Sequence, residues 1–276
     1  MKLIESLAEM QDLQYPAGSK IGFVPTMGYL HEGHLSLVQC AKAENDISVV
    51  SIFVNPAQFG PTEDLQSYPR DLKRDLELLE AMHVDYVFFP TPQMMYPAGY
   101  RSWVEVQGLS DILCGASRPG HFRGVCTVVL KLINLVRPDS MYMGEKDFQQ
   151  LCILRTMAQD LNSRVRIVGC PIVRERDGLA KSSRNVYLSA EEHDIALSLS
   201  QALLQARAMK GAGTLEAREL ISAAKGMLQK AGARIDYVHI VDSRTLQDQT
   251  WLDEHSRMLI AAWVGKTRLI DNMALI

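Results

Sequence analysis

Apolar and polar positions alternate in blocks along the first 170 residues. Residues 47–54 (ISVVSIFV) form a continuous β-branched run, which is typical of a strand buried on both faces. Within residues 68–83, leucines spaced by four and three predict a helix with one apolar face. Further strands are predicted at 21–25, 84–89, 140–143 and 165–168, and further helices at 35–43, 122–136 and 148–161. Strands separated by helices of this length favour a parallel sheet with right-handed crossovers.

The pattern changes after about residue 175. Two helical stretches, 190–209 and 215–230, follow each other directly, and three strand patterns come after them at 235–241, 258–263 and 268–270. Helices followed by strands predict a small α+β domain. The sequence therefore predicts an α/β protein with a Rossmann-like parallel-sheet domain over 1–174 and a smaller α+β domain over 175–276, which closes over the site.

Composition excludes several classes of protein. The chain has 276 residues and a net charge of −3, which gives no support to a nucleic-acid partner. Its apolar runs fall short of the roughly 18 residues that a membrane span needs. Glu5 and Glu9 interrupt the apolar pattern of the N-terminus, so no signal peptide is predicted. The five cysteines are scattered without a CxxC motif, and we expect reduced core thiols in a cytoplasmic protein with no membrane association.

The segment His31-Glu32-Gly33-His34 follows the strand at 21–25 and opens a helical pattern. Two imidazoles three residues apart share one helix face, beside free backbone N–H groups that attract anions. Gly33 lets an anion approach the backbone closely. A surface accident or a metal pair is the alternative, but the second histidine comes one residue too early for the zincin pattern. We therefore expect a phosphate site with a bare helix N-terminus.

Polar residues follow two further predicted strands. Asn55 and Gln58 come after the strand at 47–54, and Lys146 and Asp147 come after the strand at 140–143. In an open parallel sheet the carboxyl ends of the strands form the ligand-binding edge. A proline turn and a solvated charged loop remain the alternatives for these two segments.

Two basic segments complete the candidate chemistry. Residues 181–185 (KSSRN) place small hydroxyls between two cations, which suits pyrophosphate, although a surface linker is an equal alternative. Residues 118–124 (RPGHFRG) are either an anion contact or a structural loop. Because there is no Walker A motif, no GxGxxG and no Ser-His-Asp arrangement, hydride transfer and serine hydrolysis are not expected.

Taken in order, these segments resemble the pantoate–β-alanine ligase (pantothenate synthetase) family. The resemblance rests on PTMG, HEGH, FVNPAQF, RPGHFRG, GEKDFQQ, DGLAKSSRN, AAW and LIDN, which cover nearly the whole chain. The two histidines alone would indicate only the wider H-x-G-H nucleotidylyltransferase superfamily. The resemblance implies condensation of pantoate with β-alanine through a pantoyl adenylate, with release of AMP and pyrophosphate. It also implies ATP as a substrate, Mg²⁺, a cytoplasmic location and a homodimer.

The resemblance further implies residue roles. The residues that would contact ATP are Met27, Gly28, Tyr29, Leu30, His31, Glu32, Gly33, His34, Gly144, Glu145, Lys146, Asp147, Val173, Lys181, Ser182, Ser183 and Arg184. The catalytic residues would be His34, as the proton donor, with His31, Lys146 and Arg184. Gln58 and Gln150 would hold pantoate, and Gln58 would also contact β-alanine; no metal ligand is assigned. Tyr29 and Lys181 depart from the residues that the family often has, so their effect stays open.

The implied chemistry agrees with these residue types. A carboxylate is activated by attack on the α-phosphorus of ATP, so cations and hydrogen-bond donors must surround the phosphates. The adenylate must be kept from water, and residues 59–68 are the candidate for a closing loop. Two alternatives stay open. One is a nucleotidylyltransferase that leaves the nucleotide on its product, and the other is a nucleotide sensor without catalysis.

Overall fold

The alternating blocks of the first 170 residues form a six-stranded parallel sheet in the computed structural model, which describes residues 1–61 and 63–276. The strands are β1 (Lys2–Ile4), β2 (Ile21–Thr26), β3 (Ile47–Ile52), β4 (Tyr86–Phe88), β5 (Ser140–Gly144) and β6 (Arg166–Cys170). All neighbouring pairs are parallel, and the spatial order is β1-β4-β3-β2-β5-β6. The predicted α/β fold with a parallel sheet is confirmed.

Seven helices accompany this sheet among the described residues. They are α1 (Leu7–Asp12), α2 (Glu32–Glu44), α3 (Leu72–Ala81), α4 (Pro92–Met95), α5 (Cys114–Ser117), α6 (His121–Val136) and α7 (Phe148–Asp160). The apolar faces of α2 and α3 pack on β2, β3 and β4 through a buried cluster that includes Leu37, Val50 and Leu79. Short 3-10 turns lie at Pro56–Gln58 and Glu145–Asp147.

The chain order of the strands indicates where a ligand is expected to bind. From β2 the chain moves outward through β3 and β4, and it then returns to β5 on the other side of β2. Open α/β sheets bind ligands beyond the carboxyl ends of the strands at such a reversal. The ends of β2 and β5 are therefore where the fold favours a ligand.

The pairing of β2 is consistent with a crevice at this point. β2 pairs with β3 along its whole length but with β5 only at Gly22 and Phe23. The Ile21 backbone points toward β5, because its carbonyl accepts the Asp139 N–H at 2.9 Å. Backbone groups alternate sides along a strand, so Pro25 faces the same side. Proline has no N–H, and β2 can therefore continue past its pairing with β5 without exposing an unpaired donor there.

A three-stranded antiparallel sheet and two helices form the C-terminal part. The helices are α8 (Ala190–Gly211) and α9 (Ala217–Ala231), and the strands are β7 (Arg234–Asp242), β8 (Ser256–Val264) and β9 (Thr267–Ala274), in the order β7-β8-β9. Leu199, Leu203, Leu220, Leu228 and Ile260 belong to the buried cluster between these helices and strands. This is the predicted arrangement of helices followed by strands.

Element ends differ from the predictions where local interactions decide them. The helix predicted at 68–83 begins at Leu72, because the Asp71 side chain accepts the Arg74 N–H and caps the helix. The helix predicted to begin at residue 35 begins at Glu32. β1, α1, α4 and α5 were not predicted, since elements of three to six residues are too short to show a period.

The chain divides into two compact units. The first unit contains Met1–Glu145 and Gln149–Pro171, and the second contains Lys146–Phe148 and Ile172–Ile276. The predicted boundary after residue 174 lies three residues beyond this division at residue 171. The sequence also did not predict that residues 146–148 belong to the second unit, because a tertiary contact rather than chain continuity places them there.

Two further expectations can be compared with the fold. No helix among residues 1–61 and 63–276 has the length and apolar character needed to cross a bilayer. The five cysteines all lie in the described residues and form no disulfide; four are buried and Cys40 is half-buried. Burial raises the pKa of the Cys126 thiol to about 12, which keeps this thiol protonated in the core.

Candidate active site

The loop that follows β2 carries the first group of predicted ATP-binding residues. Gly28 and Tyr29 both have positive φ, at 82° and 51°, so the chain turns sharply between β2 and α2. A Cβ on Gly28 would lie 3.0 Å from both Asp75 Oδ2 and Ile52 Cγ2, so both conformation and space favour glycine. The Thr26 hydroxyl accepts the Gly28 N–H at 3.2 Å and donates to the Ser51 carbonyl at 2.8 Å. These bonds fix the start of the loop on the sheet.

A buried carboxylate on α3 holds the rest of this loop. The two oxygens of Asp75 accept the N–H groups of Tyr29 and Leu30, each at 2.7 Å. Asp75 is 1% exposed, and this burial raises the pKa of its carboxyl group although both N–H groups act against the shift. The neighbouring Arg74 donates to the Leu30 carbonyl at 3.0 Å. Helix α3 therefore positions residues 28–30 through their backbone.

Sequence reasoning missed Asp75, but the sequence contains a signal for it. Leu72, Asp75, Leu76 and Leu79 follow the spacing of one apolar helix face, so the aspartate interrupts that face. A carboxylate on the buried face of a helix needs hydrogen-bond donors, because an unpaired buried charge is very costly. The interruption indicates a structural polar contact, although it cannot name the donors.

The two imidazoles cap the N-terminus of α2. His31 Nδ1 accepts the Gly33 N–H at 3.1 Å, and His34 Nδ1 accepts the His31 N–H at 3.3 Å. Their ring centroids are 4.0 Å apart. The expectation of a bare helix end is therefore wrong, because the histidine side chains occupy N–H groups that an anion was expected to meet.

This capping also assigns the tautomers. A ring nitrogen that accepts a hydrogen bond carries no proton, so the tautomer that fits both contacts places the proton on Nε2. An Nε2–H group is a hydrogen-bond donor, which is the chemistry that phosphate oxygens accept.

The turn after β3 places Gln58 through a set of polar contacts. Asn55 is 1% exposed; its amide donates to Gln58 Oε1 and to the Gly124 carbonyl, both at 3.1 Å. Gln58 Nε2 lies 3.0 Å from the Met27 sulfur. A Cβ on Gly124 would lie 2.2 Å from the Ala57 carbonyl oxygen, so α6 packs directly on this turn. Gln58 and Met27, both predicted site residues, are thus brought together.

Residues 118–124 support the turn after β3. Of the two predicted alternatives, an anion contact and a structural loop, the contacts show the structural one. Arg118 makes two 2.6 Å hydrogen bonds to the Glu63 carboxylate and donates to the Gln58 carbonyl at 3.3 Å. His121 accepts from Arg118 at Nε2 and donates from Nδ1 to the same carbonyl at 2.8 Å. Burial raises the pKa of Glu63, but the bonds and charge of Arg118 outweigh burial and leave that pKa below its usual value.

The Arg118–Glu63 pair also bears on the predicted closing loop at residues 59–68. The pair holds Glu63 on the first unit, and Arg70 donates to the carbonyls of Leu65 and Tyr68 at 2.7 Å and 3.0 Å. Residue 62 of this loop lies outside the described residues. Closure of the loop stays a prediction.

The segment after β5 contains two neighbouring glutamines that differ in their hydrogen bonds. Gln149 is buried; it accepts the Cys114 N–H at 3.0 Å and donates to the carbonyls of Leu109 and Ile112. Gln150 is half-buried, and within residues 1–61 and 63–276 its amide has no hydrogen-bond partner. Gln149 therefore has a structural role, while the amide of Gln150 is available to a ligand.

In the second unit, residues 173–181 form a hairpin that joins two predicted ATP contacts. The Lys181 N–H donates to the Val173 carbonyl at 2.9 Å, and the Glu175 N–H donates to the Leu179 carbonyl at 2.7 Å. Ser182 follows directly and caps the 3-10 turn Ser183–Tyr187, because its hydroxyl accepts the Arg184 N–H at 3.3 Å. Val173 and the segment from Lys181 to Arg184 are therefore held in one local structure.

Lys146 lies beside this structure. Lys146, Ser182, Asn185 and Asp271 line one small cavity of about 10 Å³. The Lys146 carbonyl accepts the Asn272 amide at 2.9 Å, which ties residues 146–148 to β9. The structure thus brings together a lysine and a serine-rich turn, the groups that a polyphosphate requires.

One group in the part of the chain that the structure describes has the composition of a metal site. Glu175, Asp177 and His193 place their donor atoms within 4.8 Å of one another. His193 Nε2 lies 2.7 Å from Asp177 Oδ2, and Asn185 donates to Glu175 at 2.8 Å. Contacts within the protein thus account for these three side chains.

Comparisons with known proteins identify the family of this chain. The sequence profile of the family described as pantoate-β-alanine ligase matches residues 2–274. Curated pantothenate synthetases from Syntrophotalea carbinolica and Thermotoga neapolitana are 55% and 53% identical to this chain; the alignments cover 99% and 100% of it, and 98% and 100% of those proteins.

Two solved structures are also similar. Pantothenate synthetase from Thermus thermophilus matches with a TM-score of 0.96 and 46% identity, covering 100% of this chain and 99% of its own. Pantoate-β-alanine ligase from Francisella tularensis, in complex with β-γ ATP and β-alanine, matches with a TM-score of 0.84 and 37% identity, covering 100% and 98%. The family resemblance of the motifs is confirmed, and the chain belongs to the pantoate–β-alanine ligase family.

Proposed function

We propose that this protein condenses pantoate with β-alanine at the expense of ATP, through a pantoyl adenylate. The observation that carries the proposal is the pair of imidazoles at the N-terminus of α2, where both Nδ1 atoms accept backbone N–H groups, an arrangement that fits protons on the two Nε2 atoms. Membership of the family supports it. The Francisella relative adds support, since it binds β-alanine and an ATP ligand.

The first step joins the acid to the nucleotide. A pantoate carboxylate oxygen attacks the α-phosphorus, an O–P bond forms, and the bond to the bridging oxygen breaks with its electron pair leaving on pyrophosphate. Negative charge grows on the leaving group, so donors and cations beside it lower the barrier. In our proposal His31, His34, Lys146 and Arg184 provide them, and His34 donates a proton or hydrogen bond from Nε2 to the departing oxygen.

The second step transfers the acyl group. The β-alanine amine attacks the carbonyl carbon of the adenylate, a C–N bond forms, and AMP leaves with the electron pair of the C–O bond. The attacking nitrogen loses one proton to water, which leaves a neutral amide. No new charge develops on pyrophosphate, so we expect the histidine pair to contribute mainly to the first step.

The two residues proposed to bind pantoate differ in their hydrogen bonds before a substrate binds. Gln150 has an amide without a partner in residues 1–61 and 63–276, so pantoate would meet a free donor and acceptor. The Gln58 amide is already oriented by Asn55, and it is proposed to contact pantoate and β-alanine. Preorientation reduces the ordering cost when a substrate binds.

The remaining ATP contacts are proposed from both units. Residues 27–30 and 32–33, with Gly144 and Glu145, belong to the first unit, and Asp147, Val173 and residues 181–183 belong to the second. Each local structure offers backbone groups, hydroxyls or cations suited to a nucleotide.

Mg²⁺ fits this donor set as an ion carried by the nucleotide. It prefers oxygen ligands and is usually bound through substrate phosphates and one or two carboxylates. Asp147 is exposed and adjoins Lys146, so it is the carboxylate that we propose as a ligand. When bound, the ion neutralises phosphate charge.

A homodimer and a cytoplasmic location are also proposed, and the mass of the purified protein in solution tests the homodimer.

Pyrophosphate exchange tests the activity directly. We expect labelled pyrophosphate to enter ATP only when pantoate is present, and AMP release to require β-alanine as well. Exchange without β-alanine-dependent AMP release would favour a nucleotidylyltransferase. Tight ATP binding without exchange would favour a nucleotide sensor.

A further inference from the structure

Two adjacent residues of β9, outside the predicted site, hold the two candidate phosphate-binding segments of the second unit. One contacts the hairpin that leads into residues 181–184, and the other contacts the segment that contains Lys146. Asp271 and Asn272 are each 3% exposed, although polar residues are rarely so buried. β9 is an edge strand, and its neighbouring side chains leave from opposite faces. Asp271 shares a face with Leu269, which belongs to the core cluster, while Asn272 lies on the other face. One strand can therefore hold two separate segments.

Asp271 holds the hairpin that leads into residues 181–184. Its carboxylate accepts two parallel hydrogen bonds from Arg174, at 2.7 Å and 2.9 Å. Arg174 lies in the hairpin and also donates to the Gly178 carbonyl at 3.0 Å. The Asn272 N–H donates to Asp271 Oδ1 at 2.7 Å and fixes the carboxylate further. A two-bond arginine–carboxylate pair restrains orientation as well as distance.

Asn272 holds the segment that contains Lys146. Its amide nitrogen donates to the Lys146 carbonyl at 2.9 Å, and its amide oxygen accepts from Arg257 at 2.6 Å. The Arg257 guanidinium lies 3.9 Å from the centre of the Phe148 ring, so the same segment is held at a second point. Together these contacts explain why residues 146–148 belong to the second unit.

We propose that Asp271 and Asn272 are positioning residues for adenylation, which set the places of the serine-rich turn and of Lys146 relative to each other. The inference rests on the proposed function, because it assumes that these two segments bind the phosphates. Neither residue needs to touch ATP. Misplacement of a charged group by about 1 Å can cost up to roughly 100-fold in rate, so such restraint matters for catalysis.

Asn272→Asp tests the link to Lys146. The variant keeps the shape and the acceptor for Arg257, but it places an oxygen against the Lys146 carbonyl in place of a donor. We expect pantoate-dependent pyrophosphate exchange to fall about 10-fold or more, while the KM for pantoate changes little. In a Lys146→Ala background the same substitution should slow exchange by less than about twofold further, because the effects of residues that act through one another are not additive.

Arg174→Lys tests the link to the hairpin, and Arg268→Lys is its matched control. Arg268 makes two hydrogen bonds to Asp236, at 2.7 Å and 2.9 Å, within the same sheet. Both variants keep the charge and lose the two-bond geometry. We expect Arg174→Lys to slow exchange at least about fivefold more than Arg268→Lys does, at similar losses of thermal stability.

The outcomes separate the two proposals. If Lys146→Ala is slow and a folded Asn272→Asp is as fast as wild type, the positioning role is wrong and the proposed function stands. Equal losses from Asn272→Asp with and without Lys146 would also overturn positioning. If Lys146→Ala exchanges at the wild-type rate, the proposed role of Lys146 is wrong and the positioning proposal fails with it.

Discussion

The two units prepare their candidate phosphate-binding groups in different ways. In the first unit, residues 27–34 are held mainly through their own backbone, by Asp75 and by histidine caps. In the second unit, residues 146–148 and the hairpin that leads into 181–184 are held by hydrogen bonds with two buried side chains of the small sheet, Asn272 and Asp271. The first arrangement follows from a strand-to-helix loop at a topological reversal, and the second needs residues distant in sequence.

This difference predicts different chemistry. The first unit offers the Nε2–H groups of two imidazoles, and the second offers the cationic side chains of Lys146 and Arg184. Hydrogen bonds with a charged partner are about twice as strong as neutral ones. We therefore expect the largest fall in adenylation rate when a cation of the second unit is removed. In the first unit we expect the rate to depend most sharply on the geometry of the substituted side chain.

Lys146→Ala should have the largest effect. Loss of one cation at a partly dry site should slow adenylation about 10²–10³-fold, or roughly 3–4 kcal/mol in the barrier. Pyrophosphate exchange measures the rate, and thermal unfolding should show a nearly unchanged midpoint. The exposed Lys225, replaced in the same way, is the control. A rate within about threefold of wild type would contradict the role of Lys146.

His34 variants should separate capping from phosphate contact. In His34→Asn the new amide oxygen can replace Nδ1 as the acceptor for the His31 N–H, whereas in His34→Gln the longer side chain extends to the position of Nε2. We expect His34→Asn to keep stability within about 0.5 kcal/mol and to lose about 100-fold in adenylation. His34→Gln should retain more activity and be less stable.

The second half-reaction provides the control for His34. Pantoyl adenylate supplied directly should be converted by His34→Asn at close to the wild-type rate, because pyrophosphate has already left. If both half-reactions lose the same factor, the histidine pair acts on the amine or maintains the site, and the phosphate role is wrong.

The neighbouring glutamines should give opposite results. Gln150→Ala should weaken the use of pantoate by about 1–3 kcal/mol, with little change in stability. Gln58→Ala should weaken the use of pantoate by a similar amount, while the apparent affinity for ATP changes much less. Gln149→Ala removes the acceptor of the buried Cys114 N–H and the donor to the Leu109 carbonyl, whereas the Ile112 carbonyl still accepts the Gly115 N–H, so the free energy of unfolding should fall by about 1–3 kcal/mol. Urea unfolding and the KM for pantoate measure the two effects. Similar stability losses in Gln149→Ala and Gln150→Ala would refute the assignment.

The smallest expected effect is a pH dependence of the second unit. Hydrogen bonding to the Asp177 carboxylate raises the pKa of His193, and Asp177 lies in the 173–181 hairpin. A raised pKa adds stability that is present below the unfolded value of about 6.5 and is lost as pH rises through the folded value. Both side chains are partly exposed, so the contribution should stay below about 1 kcal/mol. In Asp177→Asn the fall in stability above about pH 6.5 should flatten, and an unchanged pH profile would contradict this assignment.

The sequence by itself determined the fold class and most of the candidate site. The β-branched run at 47–54 predicts a strand and the leucine spacing after residue 72 predicts a helix, because each pattern is local. Residues that follow parallel strands lie on one edge of the sheet. The family motifs then predicted a phosphate-binding role for the histidine pair, Lys146 and the segment 181–184, because each motif is contiguous in sequence.

Only the tertiary structure decided which groups are occupied and which are available. The sequence does not distinguish Gln149 from Gln150, and only the partners of Gln149 in the fold do so. It also placed the histidines beside free N–H groups, whereas their rings occupy those groups. Asp75, Asp271 and Asn272 act on segments tens of residues away. Local periodicity fixes elements of structure, but the hydrogen-bond partner of a buried polar group depends on which distant segments the fold brings within about 3 Å.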